Sequence, residues 1–244
     1  MSAEPTTGNQ EPIPKFASTL VIAFPDVQKA GPKILLSAAS ASTNGTSIPA
    51  WSHYCSKLSS SRKGKSTAKS SDGLKIGYST TTLSDQQGAS LLTIATAPPT
   101  TEQATYLCEA IVNHARDSGT GKIILIAASN FTTKDAKTHA LKLHHDGVLA
   151  FPEVPKDVPL GDHILNTFLT LLAFANIPTI ALVHPAQKGM NIRESQAVIE
   201  DLTAGLASVL GDNNVQEFSA ERAFQCTSVL PTQDEEGAES LMYL

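Results

Sequence analysis

The sequence predicts a single α/β domain with a largely parallel sheet and helices on both faces. Strand-like apolar runs alternate with amphipathic helical patterns along most of the chain. Several of these runs are continuously apolar, as in strands that are buried on both faces. One strand–helix–strand passage also has the length of a βαβ unit. The 244 residues, of which 41% are hydrophobic, are enough to build one sizeable core.

The N-terminal part of the chain combines short apolar runs with polar stretches. Residues 18–24 form the first predicted strand, which Pro25 and Asp26 end, and residues 32–36 form a second. Residues 1–17 are rich in Pro, Thr and Glu, so we expect them to be disordered. Residues 39–72 are dominated by Ser, Thr, Gly and Lys, which predicts a flexible insertion within a domain spanning residues 18–230.

Basic residues are concentrated in one part of this insertion. Arg62, Lys63 and Lys65 lie among serines within residues 57–69. This pattern is typical of a solvated loop, and it also fits a nuclear-import or phosphate-binding segment.

The middle of the chain carries the βαβ pattern. Strands are predicted at residues 74–79, 90–95 and 122–128, and a helix at residues 101–117. Apolar residues recur along this helix at the spacing of one face, at Ala104, Leu107, Cys108, Ile111, Val112 and Ala115. The strands on either side of the helix should therefore be parallel.

The second half of the chain continues the alternation. A weak amphipathic helix is predicted at residues 133–145, and strands are predicted at residues 148–151, 179–183 and about 215–218. Asp162 is a suitable N-cap for a helix at residues 164–175, which is apolar almost all round. Such a helix belongs either in the core or under a partner protein. A last long helix is predicted at residues 191–210, before Gly211.

Composition and charge exclude several classes of function. The net charge is −5, whereas a nucleic-acid-binding domain is usually strongly basic, and only 5% of residues are aromatic. The three cysteines are far apart, which predicts neither a disulfide framework nor a zinc site. We expect no signal peptide and no membrane helix, hence a cytoplasmic protein with the nucleus as a second compartment.

The sequence contains none of the common catalytic motifs. In an open α/β sheet a site would lie beyond the carboxyl ends of the strands. Ser129, Glu153 and His184 lie there and could serve as nucleophile, orienting acid and base in an enzyme. Because every α/β protein has polar residues at its strand ends, we expect these to be ordinary structural residues, and we expect no enzyme activity.

Histidines and aspartates cluster in one region without the spacing of a metal site. The cluster comprises Asp135, His139, His144, His145 and Asp146. Positions five or six residues apart do not share a helix face, so we interpret the histidines as residues near a helix C-terminus, where cations are favourable. The sequence therefore predicts no metal and no cofactor.

The C-terminal end is the most informative part of the sequence. Residues 231–244 begin as an acidic, turn-rich tail, yet the chain ends in Met242, Tyr243 and Leu244. A flexible tether that carries a hydrophobic side chain, a phenol and a free carboxylate is suited to insertion into a pocket beside a lysine. The alternative is a tail that folds back onto its own domain.

This terminus follows the hydrophobic–tyrosine–any-residue pattern of proteins that dock on the proteasome. Together with residues 20–25, 122–126 and 166–178, it resembles the first subunit of the heterodimeric proteasome assembly chaperone, in a fungal-type form. The resemblance implies a non-catalytic α/β fold similar to that of nucleoside phosphorylases. It also implies a second, related chaperone subunit as partner.

The resemblance further implies how such a protein acts. The heterodimer would bind the outer face of the α-ring of the proteasome core particle through its C-terminal tails. It would promote α-ring assembly and prevent premature binding of regulators. Met242 would be the hydrophobic anchor, Tyr243 the pocket tyrosine and Leu244 the carboxylate that meets a lysine. Two alternatives remain, namely an α/β enzyme with a site at the strand ends and a proteasome activator or adaptor with the same tail.

Overall fold

The computed structural model describes residues 15–41, 46–47, 76–82, 88–94, 98, 100–211 and 218–226. Most of the predicted insertion lies outside these described residues. The predicted docking residues Met242, Tyr243 and Leu244 also lie outside them.

Seven strands within the described residues form one sheet. They are β1 (Thr19–Ala23), β2 (Thr46–Ser47), β3 (Ile76–Thr82), β4 (Gly88–Ile94), β5 (Lys122–Ser129), β6 (His139–Leu143) and β7 (Thr179–Pro185). Their order across the sheet is β2-β3-β4-β1-β5-β7-β6. The four central strands, β4, β1, β5 and β7, are parallel, and antiparallel pairing is confined to the two edges. The predicted α/β class with a largely parallel sheet is confirmed.

Helices cover both faces of this sheet, as predicted. They are α1 (Ala30–Ala41), α2 (Thr101–Ser118), α3 (His163–Ala175), α4 (Ile192–Leu210) and α5 (Ala220–Gln225). The buried side chains of α2 and α3 form one hydrophobic core with the sheet, and those of α1, α4 and α5 form the other. Each face of the sheet therefore has its own apolar layer, as this architecture requires.

Strand β1 lies at the centre of the sheet, which explains its continuous apolar sequence. It pairs with β4 on one side and with β5 on the other. Leu20 and Ile22 pack in the core on the α2–α3 side, whereas Val21 and Ala23 pack in the opposite core. Since successive side chains of a strand point to opposite faces, a strand with helices on both sides needs apolar residues at every position.

The predicted βαβ unit is confirmed in β4, α2 and β5. The two strands are parallel, but β1 lies between them. The six residues of the predicted apolar stripe are the buried residues of α2. Thr100 caps the start of the helix by accepting a hydrogen bond from the N–H of Gln103, and Gly119 ends it in the left-handed conformation.

The predicted strand at residues 32–36 is wrong, because these residues lie in α1. The carboxylate of Asp26 accepts hydrogen bonds from the backbone N–H groups of Gln28, Ala30 and Gly31, so it caps the helix from before its first residue. Pro32 lies in the first turn, where its missing N–H has no helical partner to lose. The helix continues to Ala41, into the range predicted as an insertion.

The predictions for residues 133–151 are also wrong. Residues 133–138 are irregular, and β6 follows, antiparallel to β7. The pairing of β6 with β7 and the hydrogen bond from Thr138 N to the Asp201 carboxylate hold the chain extended. The predicted strand at 148–151 is absent, and only a single bridge joins Ala140 to Glu153. Of the strand expected at 215–218 the structure describes only Phe218, which lies in the loop before α5.

The described chain begins inside the segment predicted to be disordered. Phe16 is buried and packs edge-to-face on His114, with ring centroids 4.7 Å apart.

Among the helices that the structure describes, none combines the length and apolarity needed to span a membrane.

Candidate functional site

Ser129 and His184, two residues of the predicted enzyme alternative, lie on neighbouring strands but face opposite ways. Ser129 is paired with Pro185, and His184 with Ala128. Along β5, Ser129 continues the alternation of residues that pack in the α2–α3 core, while His184 continues the alternation of β7 residues in the other core. The two side chains therefore leave the sheet on different faces.

Glu153, the third residue of that alternative, lies at the outer edge of the sheet. Its carboxylate forms an ion pair with Lys142, with Nζ and Oε1 3.3 Å apart. The structure therefore does not bring Ser129, Glu153 and His184 together, and the three side chains cannot act as a catalytic triad.

The acid that contacts His184 is Asp201 of α4. The His184 ring is only 4% exposed, its Nδ1 lies 2.8 Å from the carbonyl oxygen of Pro185, and its Nε2 lies 3.6 Å from Oδ2 of Asp201. Burial lowers the pKa of His184, and the hydrogen bond to Pro185 and the charge of Asp201 oppose that effect only in part. The net effect favours the neutral imidazole.

His184 forms part of the wall of a groove of about 450 Å³ between the end of β7, the β5–β6 connection and the outer side of α4. We call this the His184 groove; its lining includes Ala136, His184, Met190, Glu194, Glu200 and Asp201. Three of these residues are acidic, and no Lys or Arg is among the lining residues. This groove was not predicted from the sequence, because the apolar stripe of α4 alone predicts only which side of the helix is buried. The acidic residues on the other side of that helix were the available signal.

A second polar feature lies at the start of α1. Oδ1 of Asp26 accepts hydrogen bonds from Gln28 N (3.0 Å) and Ala30 N (2.9 Å), and Oδ2 accepts from Gly31 N and Ala128 N (both 3.0 Å). Burial raises the pKa of Asp26 to about 6, although the four N–H groups act in the opposite direction.

The position of Asp26 bears on the enzyme alternative. The N-terminus of a helix at the carboxyl edge of parallel strands is where many α/β enzymes bind a phosphate or another anion. In this protein its own carboxylate fills that position. Backbone donors that could hold an anionic substrate are therefore already used within the fold.

The histidine cluster does not form a metal site. His139 lies 2.7 Å from the carbonyl oxygen of Lys137 through Nδ1, and His145 Nδ1 accepts from Gly147 N at 3.0 Å. His144 Nε2 lies 2.9 Å from Ala173 O, at the end of α3. Within the ranges that the structure describes, no three His, Cys, Asp or Glu side chains converge as metal ligands. The interpretation as a helix C-terminus is wrong for residues 133–145 themselves, which are not helical.

Helix α3 presents an uncharged face to solvent. Its buried residues Ile164, Leu165, Phe168 and Leu172 pack towards the sheet. On the other side, the hydroxyl groups of Thr167 and Thr170 donate to helix carbonyls one turn earlier, at 2.8 Å each. Phe174 is 82% exposed. We call Thr167, Thr170, Leu171 and Phe174 the α3 outer face; none of these side chains is charged, and Leu171 is half-buried because it also packs against the core.

No protein-family model and no curated protein matches the chain in sequence. Solved structures do share its fold. The archaeal proteasome activator PbaB of Pyrococcus furiosus is 13% identical, with 84% of this chain and 92% of that chain covered and a TM-score of 0.50.

Two further structures extend this similarity. PbaA of the same organism, an archaeal homologue of a proteasome-assembly chaperone, is 12% identical, with 93% and 90% covered and a TM-score of 0.52. A protein of unknown function from Thermoplasma acidophilum is 8% identical, with 99% and 97% covered and a TM-score of 0.56. At these identities the similarity establishes the shared fold.

Proposed function

We propose that this protein is a proteasome assembly chaperone, a binding protein without catalytic activity. The observation that carries the proposal is the terminus Met242-Tyr243-Leu244 on a chain whose domain has the fold of PbaA and PbaB. Neither feature would suffice alone, since the fold hosts different functions and a three-residue motif arises by chance.

The proposed action begins with the C-terminal tail. Met242 fills an apolar pocket between neighbouring α-subunits, Tyr243 stacks and donates a hydrogen bond, and the carboxylate of Leu244 pairs with a pocket lysine. Three residues on a tether give modest affinity, because ordering the tether costs entropy. A second tail on a partner subunit makes the second docking intramolecular, which can strengthen attachment about a hundredfold. Because each tail alone binds only modestly, the attachment weakens strongly as soon as one tail is released.

The partner in this proposal is a second, related chaperone subunit. The α3 outer face supports such pairing, because it is uncharged and carries a largely exposed phenylalanine. Exposed aromatic residues of this kind are typical anchors of protein interfaces. We therefore assign the α3 outer face to the heterodimer contact and the tail to the α-ring contact.

Two arrangements of side chains support the proposed absence of catalytic activity. Ser129, Glu153 and His184 do not converge. Asp26 fills the helix N-terminus that would otherwise hold an anion.

A second candidate function is that of a proteasome activator, which is favoured by the shared fold of PbaB, itself an archaeal proteasome activator. An assembly chaperone would associate with immature α-rings, and an activator would associate with complete core particles. The composition of the bound complexes separates the two.

The test is affinity purification from the protein's own cells. A tag inserted near Ser60 leaves the C-terminus free. The unmodified chain is compared with Tyr243→Ala, with Phe174→Ser and with the tail control Glu239→Ala. Mass spectrometry and native gels identify the partner chains and the stage of the particles.

We expect α-subunits and a related chaperone subunit with the unmodified chain and with Glu239→Ala. Tyr243→Ala should lose the α-subunits and keep the partner subunit. Phe174→Ser should recover less of the partner subunit than the unmodified chain does. Recovery of complete core particles alone would favour the activator. If neither α-subunits nor a partner subunit accompany the unmodified chain, the proposal is wrong.

A further inference from the structure

The hydrogen bonds of His184 leave one ring nitrogen without a donor. Nδ1 lies 2.8 Å from the carbonyl oxygen of Pro185, which can only accept, so Nδ1 carries the proton and donates it. In the neutral ring Nε2 then has a lone pair. That nitrogen lies 3.6 Å from Asp201 Oδ2, which is also an acceptor. Two acceptors therefore face each other in a site where the histidine is 4% exposed.

Protonation of His184 would resolve this opposition, but its surroundings disfavour it. Burial is the largest influence on the pKa of His184 and lowers it, and nearby His139 lowers it further. Pro185, Asp201 and the backbone of Ala136 act in the other direction without overcoming burial. A donor that enters the groove could therefore reach both His184 Nε2 and the Asp201 carboxylate.

The charges around the groove indicate which donor it would accept. Glu194, Glu200 and Asp201 line the same cavity, and no Lys or Arg of this chain is among the lining residues. One oxygen of each carboxylate already accepts a hydrogen bond within the protein, from Asn191 N, Gln196 Nε2 and Thr138 N, respectively. In Asp201 this oxygen is Oδ2, the one nearest to His184 Nε2, and Oδ1 keeps its full acceptor capacity. These bonds fix the three carboxylates while leaving each with acceptor capacity. A positively charged donor complements the site, and an anion would be repelled.

The remainder of the lining suits the stem of a long side chain. Ala136, Met190 and Ala197 contribute apolar surface, and the short alanine side chains leave the groove open. A lysine or arginine side chain has an apolar stem and a cationic head, and it can contact both parts of such a site. The volume of about 450 Å³ is within the usual range for binding pockets and exceeds the needs of a single ion.

We propose that the His184 groove binds a lysine or arginine side chain of a partner protein, with the cationic head donating to His184 Nε2 and to the carboxylates of Asp201 and Glu200. This contact is separate from the tail and from the α3 outer face. It predicts that a surface which docks on this protein carries an exposed basic residue. It does not depend on the proposed chaperone function, since it follows from the groove alone.

The test uses the full chain and small probes of matched shape. N-acetyl-lysine methylamide and N-acetyl-arginine methylamide are titrated to their solubility limits, with N-acetyl-norleucine methylamide as the uncharged control. The ¹⁵N chemical shifts of the His184 ring, recorded at pH 7, report whether Nε2 accepts a hydrogen bond. A merely structural histidine would not change that signal when a cation is added.

Two variants localise the binding. The double substitution Glu200→Gln and Asp201→Asn removes two charges from the groove. The Asp201→Asn change keeps a side-chain oxygen that can still accept the hydrogen bond from Thr138 N. The control Glu109→Gln removes an exposed charge from α2, on the other face of the sheet. Backbone amide spectra establish that each variant is folded.

We expect a saturable shift of Nε2 with at least one cationic probe, with a dissociation constant on the order of millimolar for a single side chain. Norleucine should give none, the double variant should bind about tenfold more weakly or worse, and Glu109→Gln should bind normally. The proposal is overturned if neither cationic probe gives a saturable shift, if norleucine gives the same shift, or if the double variant binds normally. It is equally overturned if the free protein already carries a proton on Nε2 at pH 7.

Discussion

Replacing Gly31 with alanine tests how closely α1 approaches the sheet. A Cβ at this position would lie 2.6 Å from the carbonyl oxygen of Ile126 and 3.3 Å from Cβ of Ala23. The oxygen belongs to the backbone of the buried central strand β5, so it cannot move aside as a flexible side chain would. The helix would have to shift instead, by about half an ångström or more given how tightly interiors are packed.

The cost of that shift can be worked from its parts. Overpacking a well-packed site costs about 1–3 kcal/mol. Moving α1 also weakens the bonds from Ala30 N and Gly31 N to Asp26, each worth about 1 kcal/mol. Alanine returns at most about 1 kcal/mol through its better helix propensity. We therefore expect Gly31→Ala to lower the free energy of unfolding by about 2–4 kcal/mol, which is the sum of these terms when both bonds are lost.

The assay is urea unfolding followed by circular dichroism, with Gly121→Ala as the matched control. A Cβ at Gly121 would meet only Ser18 O, at the ordinary distance of 3.7 Å. That variant should unfold within about 0.5 kcal/mol of the unmodified protein or be slightly more stable. If Gly31→Ala unfolds at the same urea concentration as Gly121→Ala, with an unchanged slope, the inferred close approach of α1 to β5 is incorrect.

Two further predictions concern the core and its buried acid. Phe168→Ala should lower the free energy of unfolding in urea by about 3–5 kcal/mol, because the ring is fully buried and stacks on Phe24 with ring centroids 5.8 Å apart. A decrease below about 1 kcal/mol would contradict this packing. Burial raises the pKa of Asp26 from 3.8 to about 6, so its contribution to stability is complete below pH 3.8 and is lost as the pH rises through 6. The difference is on the order of 3 kcal/mol between pH 3 and pH 7, and it should vanish in Asp26→Asn. Equal pH profiles for the two proteins would refute the assignment.

The elements that could be predicted from the sequence are those whose pattern depends on local chemistry. Helix α2 has a regular apolar stripe with Thr100 and Gly119 at its ends, and α3 has the N-cap Asp162, which accepts from Leu165 N at 2.9 Å. The central strands carry apolar residues on both of their faces because two helical layers cover them. In both cases the secondary structure that the local sequence favours is the one that the tertiary structure requires.

The elements that were predicted incorrectly depend on distant partners. Helix α1 starts from Asp26, and one of the four hydrogen bonds that fix this carboxylate comes from Ala128, 102 residues away. Strand β6 is extended because it pairs with β7, although its own sequence also fits a helical period. In such short segments the sequence fits both a strand and a helix. Pairing with a neighbouring strand decides between them, and that pairing depends on the whole sheet.

The candidate sites show the same division. The sequence predicts that Ser129 and His184 lie at strand ends. It does not predict that their side chains leave the sheet on opposite faces, because that depends on how β5 and β7 align. The groove beside His184 brings Ala136 together with α4, from parts of the chain about sixty residues apart. The docking residues Met242, Tyr243 and Leu244 were identified from the sequence and lie outside the described residues, so their role stays a prediction.

The central position of β1 has a consequence for the order in which the chain can fold. This strand is made first, yet its two neighbours are β4 at residues 88–94 and β5 at residues 122–129. During synthesis β1 is therefore an apolar segment with two unpaired edges until β5 has also left the ribosome. Contacts between residues so distant in sequence also make folding slow. A chain with this topology therefore leaves its first strand open to edge-to-edge aggregation until the later strands are available.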